Sequence, residues 1–516
     1  MKLNELLDGV ALAARHVQDV ECSGICCDTR EMTPGCLFVA LPGYKTDGHR
    51  YIRQALERGA AAVLCQRPPE GEGPWLVTED TRAALAIASA NWFGHPAREL
   101  TLLAVTGTNG KTTTTYLLKA MLEGCLHTKV GLIGTNQNLI GEESLPAHRT
   151  TPESYEVQEL LREMADAGCT HVVMEASSHA LVLHRLDGIP FRAGIFTNLT
   201  QDHLDFHGTM EAYRDAKGLL FRQCAAAVLN LDDEAGRYYA ETVPVPTFTY
   251  SECRDEADLT AKNLRLFPQR VEFEAVTRDA ISRVRLPIPG GFTIYNALGV
   301  LACGLVLGLP LDGCAAALGA ARGVKGRIEV VPTPTDYTVL IDYAHTPDAL
   351  ENILTTVRDF TPGRVICLFG CGGDRDRTKR PRMGAVAGAL ADVAVVTSDN
   401  PRTEVPMDII NDILPGLEGA PAEVVVEPDR RAAIRRALSL ARAGDTVELV
   451  SMGTKASVLS VNKDGTLQLQ AGILKISARQ SEVRVVEGET QSQKEARKII
   501  QRAERTLRTA APRAVD

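Results

Sequence analysis

Short apolar segments alternate along the chain with longer segments of helical periodicity. Runs such as "LTLLAV", "HVVME", "TVLID", "VICLFG" and "VAVVT" have the length and β-branched content of buried strands. Each run is followed by a polar loop and then by a helix-length segment. This order predicts α/β layers on largely parallel sheets, in which ligands bind beyond the carboxyl ends of the strands.

Two interruptions of this pattern divide the chain. Gly94 and Pro96 break it in "NWFGHPAREL", and "GVKGRIEVV" precedes the strand of "YTVLIDYAH". A chain of 516 residues is long enough for about three domains with separate cores. Its final residues are charged and poor in large apolar side chains, which predicts a surface helix or a disordered tail. The predicted divisions are 1–98, 99–328, 329–473 and an atypical charged tail, 474–516.

Charge and cysteine content narrow the classes of partner. A net charge of -9 argues against a nucleic-acid partner, and the local basic clusters fit sites for small anions. Thirteen cysteines, an odd number scattered through apolar runs, fit reduced thiols in a cytoplasmic protein. The cluster "CSGICC" with Cys36 lacks the paired CxxC spacing of a zinc site. The N-terminal "MKLNELLDGVALAARH" has acidic residues and no long apolar core, so we do not expect a secretory signal.

One uncharged segment, between Arg285 and Asp312, resembles a membrane span in composition. Its densely apolar part, "ALGVLACGLVLGL", is only about 13 residues long, and Asn296 and Pro310 flank it. This length fits a buried helix and is too short for a bilayer span. We therefore expect a soluble protein without a membrane partner.

The segment "AVTGTNGKTTTTY" (Ala104 to Tyr116) is a candidate phosphate-binding loop. A glycine-rich turn between a strand and a helix directs backbone N–H groups and the positive end of the helix at an anion. Lys111 adds a positive charge, and Thr112 adds a hydroxyl for a magnesium ion. Gly107 and Gly110 are closer together than in the standard pattern, so an ordinary glycine-rich turn is the alternative interpretation.

Other phosphate-handling groups follow in the same predicted domain. The strand "HVVME" ends in Glu175, and a carboxylate beside a phosphate loop is well suited to hold Mg²⁺. The segment "TQDHLDFHG" supplies His203 and His207 with two aspartates, and Lys217 follows on a predicted helix. Each histidine alone fits a structural role, but the cluster as a whole favours catalysis.

Several segments together carry a resemblance to a known family. "TGTNGKTT", "MEASSHAL", "TNLTQDHLDFHG", "YNALGVL", "GRIEVV" and "DYAHTPDAL" resemble, in order and approximate spacing, the signature segments of the Mur ligases of peptidoglycan synthesis. The resemblance covers about residues 20 to 450 and is strongest to the members that add the third amino acid of the peptide. It implies an N-terminal domain for the uridine nucleotide, a central P-loop ATPase domain with a mostly parallel sheet, and a C-terminal Rossmann-like domain for the incoming amino acid.

The resemblance also implies the reaction. ATP phosphorylates a carboxylate of UDP-N-acetylmuramoyl-L-alanyl-D-glutamate, and an amine then attacks the acyl phosphate. A carboxylate is a poor electrophile, and a phosphate leaving group makes amide formation accessible, so the enzyme has to supply positioning and charge stabilisation. The implied partners are these small molecules, with ATP and Mg²⁺ as cofactors, acting on a monomeric enzyme in the cytoplasm.

Roles for individual residues come from the same resemblance. Lys217 matches a family lysine that carries a CO₂-derived carbamate, and a lysine beside apolar residues has the depressed pKa which that chemistry needs. A solvated helix lysine is the alternative. His345 and Pro347 shape the loop after Asp342. The implied catalytic residues are Lys111, Glu175, His203, Lys217 and Asp342; those for ATP are Gly107, Thr108, Asn109, Gly110, Lys111, Thr112, Thr113, Asn296 and Arg327; those for the metal are Thr112, Glu175 and Lys217.

The resemblance also implies residues for the two substrates that are joined. Relatives often carry a glutamine two residues before Arg185, where this chain has Leu183, so one substrate hydrogen bond is absent. The "GYKTDGH" loop is expected near the uridine. "DNPR" is the form found in members that add meso-diaminopimelate, whose distal carboxylate a guanidinium binds bidentately. The implied residues are Thr29, Thr150, Thr151, Ser177 and Arg185 for the uridine substrate, and Arg375, Asp399, Asn400, Pro401 and Arg402 for diaminopimelate.

Three other functions stay open at this point. A related ligase that adds L-lysine would lack the arginine of "DNPR", and a folylpolyglutamate-synthetase-like ligase would lack "DNPR" together with "HLDFHG". A P-loop protein that hydrolyses ATP without forming an amide predicts phosphate release that is independent of diaminopimelate. A substrate panel distinguishes all three.

The pattern fails after the strand "DTVELV". The family has Gly-Lys-Gly-His-Glu there, and its glutamate meets the amino group of diaminopimelate, whereas this chain reads "SMGTKAS" with Lys455 at the glutamate position. An ammonium facing an ammonium costs binding, by about 1 kcal/mol. Met-Gly-Thr-Lys can be encoded as ATG GGC ACG AAG, and the same bases read from the third base give Gly-His-Glu. We therefore hypothesise a frameshift near residue 450, with a diverged loop as the alternative.

Overall fold

The computed structural model describes residues 1–43, 46–69, 73–444 and 446–450, together with the backbone of three further strands within 457–479. The chain forms two compact units. The first comprises 1–142 and 146–324, and the second comprises 143–145 and 325–516. The first two predicted domains therefore fall within one compact unit.

The N-terminal part of the first unit is a sheet with the strand order β1-β5-β4-β3-β2. Its strands are parallel except for β1, which runs antiparallel to β5. Leu3, Leu37, Leu64 and Leu85 are buried in its core. The elements are β1 (Ala14–Arg15), β2 (Ile25–Cys26), β3 (Leu37–Val39), β4 (Ala62–Cys65), β5 (Trp75–Val77), α1 (Leu3–Leu6), α2 (Ile52–Glu57) and α3 (Thr81–Trp92).

A second, larger sheet follows in the first unit. Its strands are β6 (Thr101–Thr106), β7 (Val130–Ile133), β8 (Asn138–Ile140), β10 (His171–Glu175), β11 (Phe191–Phe196), β12 (Ala227–Asn230), β13 (Thr247–Ser251), β14 (Leu259–Phe267), β15 (Arg270–Val276) and β16 (Ile281–Leu286), and β9 spans Glu143–Leu145. The helices are α4 (Lys111–Leu126), α5 (Ser154–Asp166), α6 (Ser178–Val182), α7 (Leu204–His207), α8 (Met210–Gly218), α9 (Glu234–Thr242), α10 (Phe292–Val306) and α11 (Leu311–Ala320).

The order of this sheet positions the site. The strands β14-β13-β12-β11-β6-β10-β7 lie side by side and all run parallel, while β15, β16 and β8 extend the sheet in antiparallel directions. β6 therefore lies between β11 and β10, so the polar segments after these three strands meet at one edge. The predicted α/β fold with a mostly parallel central sheet is confirmed.

The uncharged segment before Asp312 forms α10, which packs in the core of this sheet. Val300, Leu301 and Ala302 are fully buried. Within the described ranges, no helix is long and apolar enough to cross a membrane. The predicted buried helix is confirmed.

The second unit is built on a sheet with the order β17-β18-β22-β19-β20-β21, which is parallel except for β17. Its strands are β17 (Glu329–Val331), β18 (Thr338–Asp342), β19 (Val365–Phe369), β20 (Val393–Val396), β21 (Glu423–Val426) and β22 (Thr446–Val450). The helices are α12 (Pro347–Phe360), α13 (Lys379–Leu390), α14 (Pro406–Ile413) and α15 (Arg430–Leu440). Although β22 comes last in the sequence, it occupies an inner position.

A separate antiparallel sheet follows, with β23 (Ser457–Val461), β24 (Thr466–Ala471) and β25 (Leu474–Arg479). The predicted boundary between 473 and 474 falls between two paired strands, so the expectation of a helical or disordered tail is wrong for Leu474–Arg479. The segments "TLQLQA" and "LKISAR" alternate apolar and polar residues at the two-residue period of a strand, a usable signal that the expectation of a helical or disordered tail overlooked. Residues 480–516 of the predicted tail lie outside the described residues.

One ionisable residue is buried in an inner strand of the second unit's sheet. Glu448 lies in β22 opposite Leu340 and Cys367, both of which are fully buried. Neither of its carboxylate oxygens has a hydrogen-bond partner among the described residues. Burial, and secondarily the charge of Asp342, raises the pKa of Glu448 well above its ordinary value. The side chain is therefore held as the neutral acid.

Candidate active site

The phosphate loop connects β6 to α4 and needs glycine at two positions. Gly107 and Gly110 have positive φ angles of 145° and 85°. A Cβ on Gly107 would lie 1.9 Å from Thr197 Oγ1, and one on Gly110 would lie 2.5 Å from Asn296 Oδ1. The loop is thus closed against two side chains from other segments, which holds it at the N-terminus of α4.

The loop also binds itself and its neighbours. The Lys111 ammonium donates to the carbonyls of Gly107 and Thr108, at 2.9 Å each. The amides of Thr108 and Asn109 donate to the backbone oxygen and the Oδ1 of Asn198, at 2.8 and 2.9 Å. The lysine is therefore folded over the loop, and Thr113 follows it half-buried in the first turn of α4. The loop is therefore compact, and its positive charge is the Lys111 ammonium, which is carried on a flexible side chain.

Thr112 and Glu175 meet at the expected metal position. The Thr112 hydroxyl donates to Glu175 Oε1 at 3.0 Å. Glu175 ends β10 beside β6 and is buried. Both residues offer hard oxygen ligands of the kind that Mg²⁺ prefers. Across the described ranges, no group of three or more His, Cys, Asp or Glu side chains is arranged to hold a metal, so further oxygens would have to come from ligand phosphates, water or a modified side chain.

Lys217 lies on α8 and reaches the same loop from the opposite side. Its side chain is buried, and its Nζ donates to the Gly107 carbonyl at 2.8 Å. The ammonium also lies 4.4 Å from the centre of the Tyr213 ring. Burial, and then the charge of Lys111, lowers the pKa of Lys217 well below its ordinary value. A neutral amine beside the phosphate loop is the form that captures CO₂.

The predicted histidines, His203 and His207, both lie against His179, which was not predicted. The ring centres of His179 and His203 are 4.8 Å apart, and His207 stacks on Tyr213 at 4.9 Å. His207 Nε2 lies 2.9 Å from Ser178 Oγ, and burial lowers the pKa of His207 to about 4, with His179 and Lys217 contributing. Burial also lowers the pKa of His179. The rings of His179 and His207 are therefore neutral near pH 7.

Residues expected to hold the muramoyl dipeptide surround the backbone of Glu175. The Thr151 hydroxyl donates to the Glu175 carbonyl at 2.7 Å and accepts from the Ser177 amide at 3.1 Å. Arg185 Nη1 donates to the Thr151 carbonyl at 3.0 Å. Thr150 Oγ1 lies 3.1 Å from Thr135 Oγ1. The structure thus brings four of the five predicted residues to the metal position.

The fifth, Thr29, lies in the N-terminal sheet region. Its hydroxyl donates to Gln54 Oε1 at 2.9 Å, and its carbonyl accepts from Arg58. Thr29 is buried, and no contact joins it to the other predicted residues in the described ranges. Part of the neighbouring "GYKTDGH" loop, residues 44 and 45, lies outside the described residues.

The remaining ATP-related residues are divided between the two units. In the first unit, Asn296 Oδ1 accepts from the Thr114 hydroxyl at 3.2 Å. In the second unit, Asp342 accepts from the amides of Ile328 and Ala344, at 2.9 and 2.8 Å, although burial raises its pKa. The Arg327 guanidinium lies 5.4 Å from the Tyr343 ring centre. Asp342 thus fixes the backbone on both sides of β18.

The predicted diaminopimelate residues lie on two adjacent loops of the second unit. We name residues 370–378 the first arginine loop and residues 397–405 the second arginine loop. Arg402 Nη1 donates to the Gly373 carbonyl at 2.5 Å, and the Gly373 amide donates to the Asn400 carbonyl at 2.8 Å. Burial raises the pKa of Asp399, and Arg430 lies 4.0 Å from it. Arg375 is exposed, and Pro401 is half-buried.

Besides His179, three residues that contribute to these sites were not predicted. Thr135 donates its amide and its hydroxyl to the two oxygens of Glu175, at 2.9 and 3.0 Å. Glu153 pairs with Arg185 at 2.8 Å, and Arg380 pairs with the second arginine loop. Thr135 follows the parallel strand β7, so its position after a strand was a usable signal. Glu153 and Arg380 lie on helices or at helix starts and carried no such signal.

Three models of the Mur ligase family match successive parts of the chain. Residues 21–98 match the Mur ligase family, catalytic domain; 105–304 match the Mur ligase middle domain; and 326–453 match the Mur ligase, glutamate ligase domain. The C-terminal residues 443–483 match the MutS2 and Smr-associated SH3 domain. The last two matches overlap at 443–453, which includes β22.

This C-terminal match corrects the frameshift hypothesis. Translation in a shifted frame yields an unselected sequence, which has no reason to match a domain family over 443–483. The frameshift hypothesis is therefore wrong, and the departure from the family pattern begins where a second domain type begins. The loop that contains Lys455 lies outside the described residues.

Two curated relatives and two solved structures are similar over most of the chain. The "UDP-N-acetylmuramoyl-L-alanyl-D-glutamate--2,6-diaminopimelate ligase" of Clostridium botulinum is 44% identical over 88% of this chain and 94% of its own length, and the Caldanaerobacter subterraneus protein of the same name is also 44% identical, with the same coverage. A solved structure with that ligase name is 28% identical, with a TM-score of 0.67 over 98% of this chain and 99% of its own. MurF from Acinetobacter baumannii, 20% identical with a TM-score of 0.57, covers 86% of this chain and 94% of its own and shares the fold. With family matches over most of its length and relatives of this identity, the chain belongs to the Mur ligase family.

Proposed function

We propose that the protein is an ATP-dependent amide ligase that adds meso-2,6-diaminopimelate to UDP-N-acetylmuramoyl-L-alanyl-D-glutamate in peptidoglycan precursor synthesis. The observation that carries the proposal is the convergence on one loop of Lys111, Lys217 and the Thr112–Glu175 pair. The names of the 44% identical relatives support the choice of substrates. The enzyme acts on small molecules in the cytoplasm, as a monomer.

The residues of the loop fit ATP and Mg²⁺. Lys111 holds the phosphates in place of the Gly107 and Thr108 carbonyls that its ammonium now contacts. Thr112 and Glu175 would supply oxygen ligands to Mg²⁺, which would offset the negative charge of the phosphates. Thr135 orients Glu175 by donating to both of its carboxylate oxygens.

Lys217 fits a carbamate. Its amine is buried and has a depressed pKa. The neutral amine attacks CO₂, forms an N–C bond and releases a proton, which leaves a carboxylate in place of a cation. The resulting negative charge attracts the Lys111 ammonium, and the carbamate adds the third oxygen donor that the Thr112–Glu175 pair lacks.

The acceptor carboxylate is placed by the network around Glu175. Arg185 and Thr151 connect to Glu175 through hydrogen bonds of 3.0 and 2.7 Å, so a substrate held by them lies beside the phosphate loop. The carboxylate oxygen attacks the terminal phosphorus of ATP, and ADP leaves. The amine then attacks the acyl carbon, and inorganic phosphate leaves with the bonding electrons of the acyl C–O bond.

Selection of the amine rests on Arg375 and Arg402. Two guanidinium groups on adjacent loops bind the distal carboxylate of diaminopimelate, which L-lysine lacks. The loop after β22 works against this selection, because Lys455 stands where the resemblance implies a glutamate for the substrate ammonium. We therefore expect weak use of diaminopimelate with intact binding of ATP and of the uridine substrate.

The experiment measures ADP release by the purified protein with ATP, Mg²⁺ and each substrate combination, and it identifies the product by mass. Release that requires both the uridine dipeptide and meso-diaminopimelate is the expected result, with L-lysine a poorer substrate. Equal rates with L-lysine contradict the amine selection, and release that ignores both substrates contradicts ligation. Lys111→Ala provides the background rate.

A further inference from the structure

The side chain of Arg380 contacts both arginine loops. It lies in the first turn of α13, and its side chain is fully buried. Its Nη1 and Nη2 donate to the two oxygens of Glu404 at 2.9 and 2.7 Å, in a bidentate pair. Nη1 also donates to Asp412 Oδ2 at 2.8 Å, and Nη2 donates to the Gly372 carbonyl at 3.4 Å. One guanidinium thus contacts the first arginine loop, the second arginine loop and α14.

Glu404 extends this contact to the first arginine loop. Its Oε1 accepts from the Asp374 amide at 2.6 Å, in addition to the bond from Arg380. The Asp374 carboxylate accepts in turn from the hydroxyl of Thr403, the residue before Glu404, at 2.6 Å. Asp374 is next to Arg375, and Thr403 is next to Arg402, so the network lies one residue from each arginine of the proposed carboxylate site.

The backbone at this junction leaves little freedom. Asp374 and Arg402 both have positive φ angles, of 53° and 51°, which side chains other than glycine rarely adopt. A Cβ on Gly373 would lie 1.9 Å from the Pro401 carbonyl. Two strained residues and one close backbone approach need surrounding contacts to hold them. The Arg380–Glu404 pair is a charged contact at this place, in which the guanidinium is fully buried and the Glu404 side chain is 21% exposed.

Stability alone is a poor reason for such a pair. Removing a guanidinium and a carboxylate from water costs desolvation free energy, and their attraction offsets this cost only when the geometry is good. Apolar residues of similar size often give the same or greater folding stability. A planar guanidinium that binds both carboxylate oxygens fixes distance and angle, which apolar packing does not. The pair lowers the pKa of Glu404 to about 2, so it stays charged over the working range of pH.

We propose that Arg380 is a positioning residue that, through Glu404, sets the spacing of Arg375 and Arg402 for a substrate with a distal carboxylate. This rests on the proposed function, because the distal carboxylate belongs to the proposed amine substrate. Arg380 does not touch the substrate. It determines where the two arginines that bind the substrate are held.

The test compares Arg380→Lys, Arg380→Met and Glu404→Gln with the wild type. The lysine variant keeps the positive charge but cannot donate to both oxygens of Glu404 in the bidentate geometry. The methionine variant keeps a long side chain but loses the charge. Arg382→Met is the matched control, because Arg382 is on the same helix and is 69% exposed, 3.9 Å from Asp348. We expect the KM for meso-diaminopimelate to rise about tenfold to a hundredfold in the three test variants, as small misplacements of binding groups do. The KM values for ATP and the uridine dipeptide should stay within about twofold.

Hydrogen exchange supplies a readout that does not depend on turnover. Amides of the two arginine loops should exchange faster in Arg380→Lys and Glu404→Gln, while amides of β19 and β20 keep their protection. Unchanged exchange in both loops overturns the proposal, and so does an Arg380→Lys enzyme with the wild-type KM for meso-diaminopimelate. If Arg380→Met fails to fold, the other two variants decide.

The same data separate this inference from the proposed function. If the wild type shows no ADP release that depends on meso-diaminopimelate, the proposed function fails, and the loop exchange rates still decide whether Arg380 fixes the two loops. If ADP release by the wild type depends on meso-diaminopimelate but the variants lose kcat with an unchanged KM for that substrate, Arg380 is structural only and the positioning role is wrong.

Discussion

Replacement of Glu448 by leucine is expected to stabilise the second unit. Glu448 is in the inner strand β22, between the fully buried Leu340 and Cys367, and neither of its oxygens has a partner among the described residues. The strand also lies in the overlap of the ligase and SH3 domain matches. An ionisable residue therefore occupies a core position of this sheet.

Two contributions set the magnitude. A buried polar group without a partner costs about 1–3 kcal/mol, and leucine removes this cost while filling a similar volume. The second contribution is protonation, because the folded state holds the neutral acid and the unfolded chain ionises above its ordinary pKa of 4.5.

The protonation term gives a pH dependence with a definite sign. The pKa of Glu448 is raised in the folded state, so the folded chain binds a proton that the unfolded chain releases. Stability is therefore unaffected by this group below pH 4.5 and falls by about 1.4 kcal/mol per pH unit from there up to the folded-state pKa. Glu448→Leu abolishes this slope, and Glu448→Gln abolishes the slope while keeping a polar group in the core.

Native-state hydrogen exchange of the amides in β18 and β19 measures the difference, because global melting of a chain with two units need not be two-state. Wild type and variants are compared at each pH from 5 to 8, so that the intrinsic exchange rates cancel. Glu423→Leu, at an exposed position of β21, is the matched control. The reasoning is refuted if Glu448→Leu stabilises no more than this control, or if the difference between wild type and Glu448→Gln does not change with pH.

Two further predictions concern catalysis. Lys217→Ala should lower turnover about a hundredfold or more, because the carbamate oxygen proposed as a metal ligand is lost. Acetate or propionate should restore part of the turnover. No recovery would leave the carbamate unsupported, and full activity would remove Lys217 from the site. Lys455→Glu should raise kcat/KM for meso-diaminopimelate about fivefold or more, since it replaces an ammonium repulsion of about 1 kcal/mol with attraction, and an unchanged value would show that the loop does not meet the substrate.

Much of the fold followed from local sequence patterns. Apolar runs of strand length, each with a polar loop after it, specified parallel α/β layers, and the glycine spacing at Gly107 and Gly110 specified the phosphate loop. Glu175 was predictable because it ends a strand, and Thr112 was predictable because it follows the glycine loop at the start of a helix. These features depend on residues within a few positions of one another, so periodicity and turn chemistry suffice to indicate them.

The tertiary structure decided which distant groups meet. Lys217 and Gly107 are 110 residues apart, and their contact depends on α8 packing over the loop after β6. Thr135 reaches Glu175 because β7 pairs with β10, and Arg380 reaches Glu404 because two loops of one sheet are neighbours. The same sheet places Glu448 in its interior, although nothing in "DTVELV" marks an inner strand. Strand order and helix packing depend on the total apolar surface that the whole unit removes from water. No short stretch of sequence determines that total.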